Sequence, residues 1–313
     1  MAPESRKVVV VTRPTRLGQL VRRFNTVSQA RFYVERLGGD FADYAREDDC
    51  FERALAAVLE AADRLARVHR IDWSALPTYQ LAPDDLVATV GQDGLIVNAL
   101  KYLGNQAIVG FNPERERWDG TLAQFSCDLA RSTLERALAG ELPERSVTKA
   151  QVNLSDSQGM TAVNDFFLGV SDHSSARYRI EYGGRSESQS SSGLIVSTPL
   201  GRSGWLQSLM NGSQGIVRGI SGEEPKLELD MHGDWDEDCL YFAVREPYRS
   251  VSSGADIVFG KIEEGESLVV ESKMGERGLI FSDGIQADYL SFNYSVRSTF
   301  SVSPAKGRVL VTN

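Results

Sequence analysis

The sequence is poor in cysteine and histidine, with three residues of each among 313. Cys50, Cys127 and Cys239 lie far apart, and none has the close spacing of a metal-ligand pair. We therefore predict no metal site built from protein ligands. Sparse, unclustered cysteines are typical of proteins from a reducing compartment, and we expect a cytoplasmic protein.

Long hydrophobic runs are absent too. No stretch approaches the ~20 apolar residues that span a membrane, and residues 1–7 lack the apolar run of a signal peptide. The net charge of −9 argues against nucleic acid or an anionic membrane as a partner. What is present, 42% hydrophobic and 25% charged residues, is typical of a soluble globular protein long enough for two domains.

The first part of the chain alternates apolar runs with helical patterns. The predicted strands are residues 8–12 and 107–111, and the predicted helices are residues 26–37, 49–68 and 119–139. His69 is expected at the end of the second helix, where its charge suits the helix dipole. The alternation predicts an α/β domain with a parallel sheet, which we assign to residues 1–144.

The composition changes near residue 145. Short β-prone segments separated by glycine-rich turns replace the helices. The predicted strands are residues 150–154, 162–170, 176–182, 194–197, 240–244, 267–271 and 289–296. We assign residues 145–313 to a second, mostly β domain.

One stretch has the pattern of a ligand-binding turn. An apolar, β-branched run at residues 86–90 is followed by Gly91, Gln92, Asp93 and Gly94, and then by a helix-like segment. Flanking glycines let a ligand approach backbone N–H groups, which suits phosphate. A carboxylate at the apex of the turn can accept a proton from an attacking hydroxyl. The alternative is an ordinary βα turn with Asp93 as the helix N-cap.

The sequence has no Gly-x₄-Gly-Lys-Ser/Thr pattern, which excludes a P-loop. Phosphate binding would therefore depend on turn amides and on arginine or Mg²⁺. Arg13 and Arg16, in the loop after the first strand, are candidate phosphate ligands. Solvated loop arginines are the alternative.

Four segments, considered in their order along the chain, contain glycine turns, Asp, Asn or a Ser-Thr-Pro run. They are Gly91-Gln92-Asp93-Gly94, Asn164-Asp165, the run from Ser191 to Trp205, and Phe281-Ser282-Asp283-Gly284. In this order and at these separations they resemble the NAD kinase family, whose motifs are Gly-Gly-Asp-Gly-Thr, Asn-Asp or Asn-Glu, and Asp-Gly-(apolar)₃-Ser-Thr-Pro-Thr-Gly-Ser-Thr-Ala-Tyr. The loop at Thr12-Arg13 and the region of Gly120 are most similar to the mitochondrial-type branch.

The resemblance implies an NAD kinase-like fold: an α/β domain, a β-rich domain, and NAD bound between them. It implies that Asp93 is the general base toward the adenosine-ribose 2′-hydroxyl, with Gly91, Gln92 and Gly94 in the phosphate turn. Asn164 and Asp165 would bind substrate hydroxyls. The further residues implied at the dinucleotide site are Ser197, Thr198, Gly201, Arg202 and Trp205. ATP with Mg²⁺ is the implied phosphoryl donor, and a homo-oligomer is implied as well.

The chain departs from the family pattern at several positions. Gln92 replaces the second glycine, Leu95 replaces threonine, and Ser192 replaces an acidic residue. The intact Asp93 and Asn164 favour a diverged, active kinase. We therefore predict ATP-dependent phosphorylation of NAD at the 2′-hydroxyl to give NADP. The alternatives are a non-catalytic dinucleotide-binding regulator and a kinase of the same fold that acts on a lipid or sugar hydroxyl.

Several candidate residues also have a purely structural interpretation. Arg202, in place of a small hydroxyl residue, is expected either to clamp a phosphate or to be solvated. Trp205 is expected either to stack on a base or to lie in the core. Asn164-Asp165 could form a strand-edge turn, and Ser197-Thr198-Pro199 could simply end a strand before proline.

Overall fold

A computed structural model of the protein describes residues 6–223, 225, 229–231 and 233–312. The chain divides into two compact units. Unit 1 contains the described residues up to Arg145 and again from Arg308 onward, and unit 2 spans Ser146–Gly307. The predicted β domain was to run to the end of the chain, whereas the structure returns the last strand to unit 1.

Unit 1 combines strands and helices. Its elements up to and across the boundary are β1 (Lys7–Thr12), α1 (Arg16–Phe24), α2 (Val27–Arg36), α3 (Phe41–Asp63), β2 (Arg67–Asp72), β3 (Leu86–Val90), α4 (Asp93–Leu100), β4 (Ala107–Asn112), β5 (Phe125–Ser126), α5 (Ala130–Ala139) and β6 (Glu144–Val147).

Unit 2 is almost entirely β. Its elements are β7 (Ala150–Leu154), β8 (Gly159–Ala162), β9 (Asp165–Val170), β10 (Ala176–Tyr182), β11 (Arg185–Ser191), β12 (Leu194–Ser197), α6 (Trp205–Ser221), β13 (Cys239–Val244), β14 (Phe259–Glu263), β15 (Leu268–Ser272), β16 (Gly278–Ser282), β17 (Ile285–Ser291) and β18 (Arg297–Val302). The last strand, β19 (Gly307–Leu310), joins the sheet of unit 1.

The sheet of unit 1 has the strand order β2-β1-β3-β4-β19-β6, with β5 beside β4. β1 pairs in parallel with β2 and β3, and β4 pairs in parallel with β3 and β19. The four valines Val8 to Val11 of β1 are fully buried, as a central parallel strand requires. Phe51 and Leu55 of α3 and Leu134 of α5 pack on this sheet. Because the strands are parallel, the carboxyl ends of β1, β3 and β4 meet at one edge, where ligands bind in open α/β sheets.

Two predicted helices of unit 1 are partly wrong. The second helix runs over Phe41–Asp63, and its N-cap is Asp40, whose side chain accepts the Ala42 N–H. His69 lies in strand β2, where its Nδ1 is 2.7 Å from the Tyr79 hydroxyl oxygen. Val68 continues the apolar spacing of the predicted helix from Leu65, three residues earlier, but pairs with Val8 of β1.

The helix predicted over residues 119–139 is only Ala130–Ala139. Gly120 has φ +64°, a left-handed conformation that a continuous helix does not contain. Phe125 then pairs with Phe111 in the short strand β5. Buried apolar residues in this irregular segment produced the helical pattern.

Unit 2 consists mainly of two antiparallel sheets, of order β11-β10-β15-β18-β7-β8 and β14-β13-β12-β9-β16-β17. Their apolar faces share one core, in which the rings of Phe166 and Phe300 lie 5.5 Å apart, centre to centre. The predicted combination of an α/β domain with a β-rich domain is confirmed. The helix α6 was not foreseen, because its glycine-rich sequence has low helical propensity. Throughout the described ranges, no helix is both long and apolar enough to cross a bilayer.

Candidate functional site

The turn Gly91–Gly94 joins β3 to α4 at the edge of the unit 1 sheet where the carboxyl ends of β1, β3 and β4 meet. Gly91 has φ +153°, and a Cβ there would lie 3.1 Å from the Leu95 side chain. Its N–H donates to the Phe111 carbonyl at 2.9 Å, which extends the β3–β4 pairing. The Gly91 amide is thus used by the sheet, and the first amides of α4 are the ones directed to the end of the turn.

Asp93 is the first residue of α4, and the N-cap is Gln92. The N-cap alternative for Asp93 is therefore wrong. Its Oδ1 accepts the N–H groups of Leu122 and Ala123 at 3.1 and 2.8 Å. Within the described part of the chain its second carboxylate oxygen accepts no hydrogen bond. The half-buried carboxylate is held in one orientation while one oxygen stays available to a proton donor.

A cavity of about 240 Å³ opens beside this turn, lined among others by Arg13, Gly91, Gln92 and Gly94. The structure thus brings together these predicted residues of unit 1. Trp118 also lines the cavity and is 41% exposed. Sequence reasoning missed it, because nothing in the local pattern distinguishes this tryptophan from a buried one. The volume is below the ~300 Å³ of a typical small-ligand pocket, so a whole nucleotide would extend beyond it.

The two candidate arginines differ. Arg13 is exposed, with its guanidinium 5.0 Å from the Trp73 ring centre. Arg16 is already paired: its Nη2 is 2.7 Å from Asp43 Oδ2, and its Nε donates to Glu47. These carboxylates compete with any phosphate for Arg16, whereas Arg13 keeps its donors.

In unit 2, the backbone around Asn164 and Asp165 is held by Asp283. One Asp283 oxygen accepts the N–H groups of Val163, Asn164 and Asp165 at 3.0, 2.7 and 3.3 Å. The Asp283 N–H in turn donates to the Asp165 carbonyl at 2.9 Å. Asp283 has φ +54°, a left-handed conformation uncommon for a non-glycine residue, which places strain at this position. It belongs to a motif quoted above, but sequence reasoning gave it no role.

The side chains of Asn164 and Asp165 have no hydrogen-bond partner in the parts of the chain that are described. Asp165 is 8% exposed, and burial, with a further contribution from Asp283, raises the pKa of its carboxyl to about 7. A buried carboxyl without a partner is costly and is found where a ligand completes it. The backbone of Asn164 and Asp165 is therefore fixed by hydrogen bonds, whereas their two side chains are available to a ligand.

A lysine that sequence reasoning missed lies in the same region. Lys149, between β6 and β7, is 2% exposed, and burial lowers its pKa to about 8 although Asp283 attracts its charge. Two carboxylates and one amine thus share a poorly hydrated region, and their charges depend on one another.

Ser197, Thr198 and Gly201 contact the backbone of residues 163–165. The Thr198 hydroxyl donates to the Val163 carbonyl at 2.6 Å and accepts the Gly201 N–H at 3.1 Å. Gly201 lies so close to Asn164 that a Cβ would be 2.0 Å from its carbonyl oxygen. Ser197 and Thr198 are fully buried. The two hydroxyls have partners within the protein, which gives them a positioning role, and their contact with a dinucleotide remains a prediction.

Arg202 faces the interior and not a cleft. It is 1% exposed, and its Nη2 lies 2.7 Å from Glu237 Oε1 and its Nε 3.1 Å from the Pro199 carbonyl oxygen. Burial is the largest single influence and opposes the charge, but the hydrogen bond to Glu237, the charge of Glu237 and the contacts with Tyr241 together outweigh it and raise the pKa of Arg202. Neither expectation, the phosphate clamp or a solvated arginine, describes this conformation: the buried guanidinium is already paired with a carboxylate.

Trp205 begins α6 and is half-buried. Its indole stacks on Phe167 with ring centres 5.5 Å apart and planes 13° from parallel. The Arg245 guanidinium lies 5.5 Å from the indole centre and 5.7 Å from that of Phe167. Base stacking by Trp205 remains a prediction, with Phe167 as the partner the indole has in the structure.

No group of three His, Cys, Asp or Glu side chains in the described residues is placed to hold a metal ion. Mg²⁺ that arrives with a nucleotide needs one or two carboxylates beside the phosphates, and Glu114, in the lining of the cavity beside Gly91, would supply one.

No protein-family model and no curated protein matches the sequence. Solved structures do match. An NAD kinase from Archaeoglobus fulgidus in complex with ATP aligns with TM-score 0.54 and 16% identity over 98% of this chain and 94% of that one. Yeast NADH kinase complexed with NADH aligns with TM-score 0.58 and 15% identity over 100% of this chain and 84% of that one. At such identities the likeness concerns the fold: this chain has the fold seen in these NAD(H) kinases.

Proposed function

We propose that the protein transfers the γ-phosphoryl group of ATP to the adenosine-ribose 2′-hydroxyl of NAD, giving NADP and ADP. The observation that carries the proposal is Asp93. It lies in the turn that resembles the family motif, two backbone amides orient it, and one oxygen is left open. The fold shared with two NAD(H) kinases supports the same activity.

In the proposed reaction the 2′-oxygen attacks the γ-phosphorus as its proton passes to Asp93, and the bond to the β-phosphate oxygen breaks. Phosphoryl transfer depends mainly on positioning and on neutralising charge. The α4 amides and Arg13 would bind phosphate oxygens. Trp118, in the lining of the same cavity, would contact a nucleobase. Mg²⁺ would neutralise charge on the ATP phosphates.

Unit 2 would bind the dinucleotide. Asn164 offers an amide, and Asp165 a carboxyl that is protonated in part of the molecules near pH 7. Both chemistries suit hydrogen bonds with ribose hydroxyls. Asp283, Thr198 and Gly201 would set their positions through the backbone. The mostly β unit is in this proposal the substrate-binding domain, and the α/β unit the nucleotide-binding domain.

The test is incubation of purified protein with ATP, Mg²⁺ and NAD, or with NADH, followed by an enzymatic assay for NADP(H). Product from wild type and little from Asp93→Asn is the expected result. If neither protein forms product, the proposed kinase activity is wrong.

A non-catalytic dinucleotide-binding regulator is the second candidate, and Leu95 favours it. This side chain is 4% exposed and replaces the threonine hydroxyl of the family motif with a buried aliphatic group. Saturable NAD binding without turnover, equal in wild type and Asp93→Asn, would support the regulator. The cytoplasmic location and the homo-oligomer also remain proposals, and sedimentation addresses the latter.

A further inference from the structure

The segment at residues 13–36 differs in charge from the rest of the chain. It contains six arginines and one glutamate, a net charge of +5, in a chain of net charge −9. The arginines are Arg13, Arg16, Arg22, Arg23, Arg31 and Arg36. Arg16 and Arg22 are paired with carboxylates of other elements, so the charge left uncompensated lies mainly on the other arginines of the segment. An exposed basic patch on an acidic protein favours an anionic partner.

An open groove of about 780 Å³ lies between the end of α1 and one side of α2. Its apolar and cationic lining is Arg23, Phe24, Phe32, Tyr33, Arg36 and Leu37. We call it the α1–α2 groove. Phe32 is 64% and Leu37 69% exposed, which is unusual for side chains of this size. No carboxylate is found among the described residues that line it.

The groove arginines are held by aromatic rings and not by carboxylates. The Arg23 guanidinium lies 5.1 Å from the ring centre of Phe24, and that of Arg36 lies 5.8 Å from the ring centre of Phe32. Over the described ranges, neither arginine forms an ion pair. Arg22, outside the groove, does pair with Asp72 at 3.3 Å. The groove therefore presents two fixed positive charges beside uncovered apolar surface.

The shape of the groove selects among anionic partners. Small-ligand sites bury about 70–90% of their ligand, which side chains as exposed as Phe32 and Leu37 do not achieve. A flat lipid surface would reach the exposed Phe32 and Leu37 but not the half-buried Phe24 and Tyr33 of the same groove. An amphipathic helix fits better: α2 is about 15 Å long, which matches nearly three turns of a partner helix.

We propose that the α1–α2 groove binds an acidic amphipathic helix of a partner protein. The apolar side chains of the helix would cover Phe32, Tyr33 and Leu37. Glutamates or aspartates on its flanks would pair with Arg23 and Arg36, whose stacking on aromatic rings leaves their edge donors free for carboxylate oxygens. This surface shares no residue with the proposed catalytic machinery.

The probe is a fluorescein-labelled peptide of about 18 residues with Leu and Phe at positions i, i+3, i+4 and i+7 and Glu elsewhere. A second peptide replaces every Glu with Lys. Fluorescence anisotropy with the full-length protein, at about 50 and 500 mM salt, should show the Glu peptide binding at least about tenfold more tightly than the Lys peptide, and more weakly at high salt.

The double variant Phe32→Ser with Arg36→Ser should lose at least about tenfold in affinity for the Glu peptide. The matched control combines Tyr294→Ser with Arg131→Ser, two exposed positions outside the groove, and should bind like wild type. Equal binding of the two peptides, or equal affinities of the two double variants, overturns the proposal. So does binding to phosphatidylserine vesicles in place of peptide. Self-association that the Phe32–Arg36 variant abolishes would assign the groove to a second copy of the chain and also overturn it.

Discussion

The two candidate sites are built in different ways. In unit 1 the turn Gly91–Gly94 is continuous in sequence, and its carboxylate is oriented by two amides of a neighbouring loop. In unit 2, Asn164 and Asp165 are held by Asp283, which lies 119 and 118 residues further along the chain. The first site depends on local geometry and can be altered with little effect on the fold. The second is part of the tertiary structure of its unit.

The sites differ in electrostatics as well. Asp93 is half-buried and has one open oxygen, whereas Asp165 is almost completely buried close to Asp283 and Lys149. Burial of several charged groups together costs stability unless partners or ligands compensate them. We therefore expect substitutions at the unit 1 site to affect activity alone. Substitutions at the unit 2 site should affect stability too.

The largest expected effect is on turnover in Asp93→Asn. Removal of a general base lowers the rate by about 10²–10⁴-fold. The asparagine carbonyl can still accept the Leu122 and Ala123 amides, so the melting temperature should stay within about 2 °C of wild type. Initial rates and thermal melts measure both. Asp128→Asn, an exposed carboxylate of the same unit, is the control and should keep full activity. More than about a tenth of the wild-type rate in Asp93→Asn would contradict the role of base.

The next effect is a pH dependence of stability caused by Asp165. Its carboxyl has a pKa of about 7 in the folded protein against 3.8 unfolded. Between these values the folded state keeps a proton that the unfolded state has lost, so this group's contribution to stability falls as the pH rises from about 4 to 7. The loss is complete above pH 7 and amounts to roughly 4 kcal/mol at most.

Denaturant unfolding of wild type and Asp165→Asn at a series of pH values from about 4 to 8 isolates this contribution. The difference between the two proteins should change steadily in favour of the variant as the pH rises, because titrating groups that do not interact with Asp165 contribute equally to both. Lys149 titrates near pH 8, at the upper edge of this range. A difference independent of pH would show that the Asp165 pKa is not raised.

Asp283→Ala should cost about 3 kcal/mol of unfolding free energy. The change leaves the amides of Val163, Asn164 and Asp165 without their acceptor and places alanine at a positive φ. NAD affinity should fall by at least about tenfold, because the side chains that would bind it lose their position. Asp283→Asn retains an acceptor and tolerates the left-handed conformation, so it should keep most of both properties. Equal losses in the two variants would show that the amide contacts do not matter.

Glu237→Gln should cost about 2 kcal/mol, since it leaves the buried Arg202 guanidinium without an anion while one-third of the Glu237 side chain remains exposed. The control is Glu263→Gln, which breaks an exposed pair with Lys261 and should cost about 0.5 kcal/mol or less. Denaturant midpoints compare the two. If both variants cost the same and Arg202→Ser weakens ATP or NAD binding in a salt-dependent way, Arg202 is the phosphate clamp after all.

The sequence by itself determined the class of fold and pointed to the first candidate site. The apolar runs of β1, β3 and β4 were recognisable because both faces of a parallel strand are buried. The Gly-x-Asp-Gly turn followed from residues adjacent in the chain, whose conformations glycine permits. The helix predictions were wrong where an apolar residue at helical spacing belonged to an edge strand, as at Val68, or to an irregular buried segment, as at Phe125.

Only the tertiary structure decided how the second site is made. Which carboxylate orients Asn164, which hydroxyls are consumed internally, and which way Arg202 turns all depend on residues 35 to 120 positions apart. The return of β19 to the first sheet is of the same kind. Local sequence limits backbone conformation and burial pattern. Long-range hydrogen bonds and ion pairs form only after distant segments have packed together, because the burial of their polar groups makes these partners necessary.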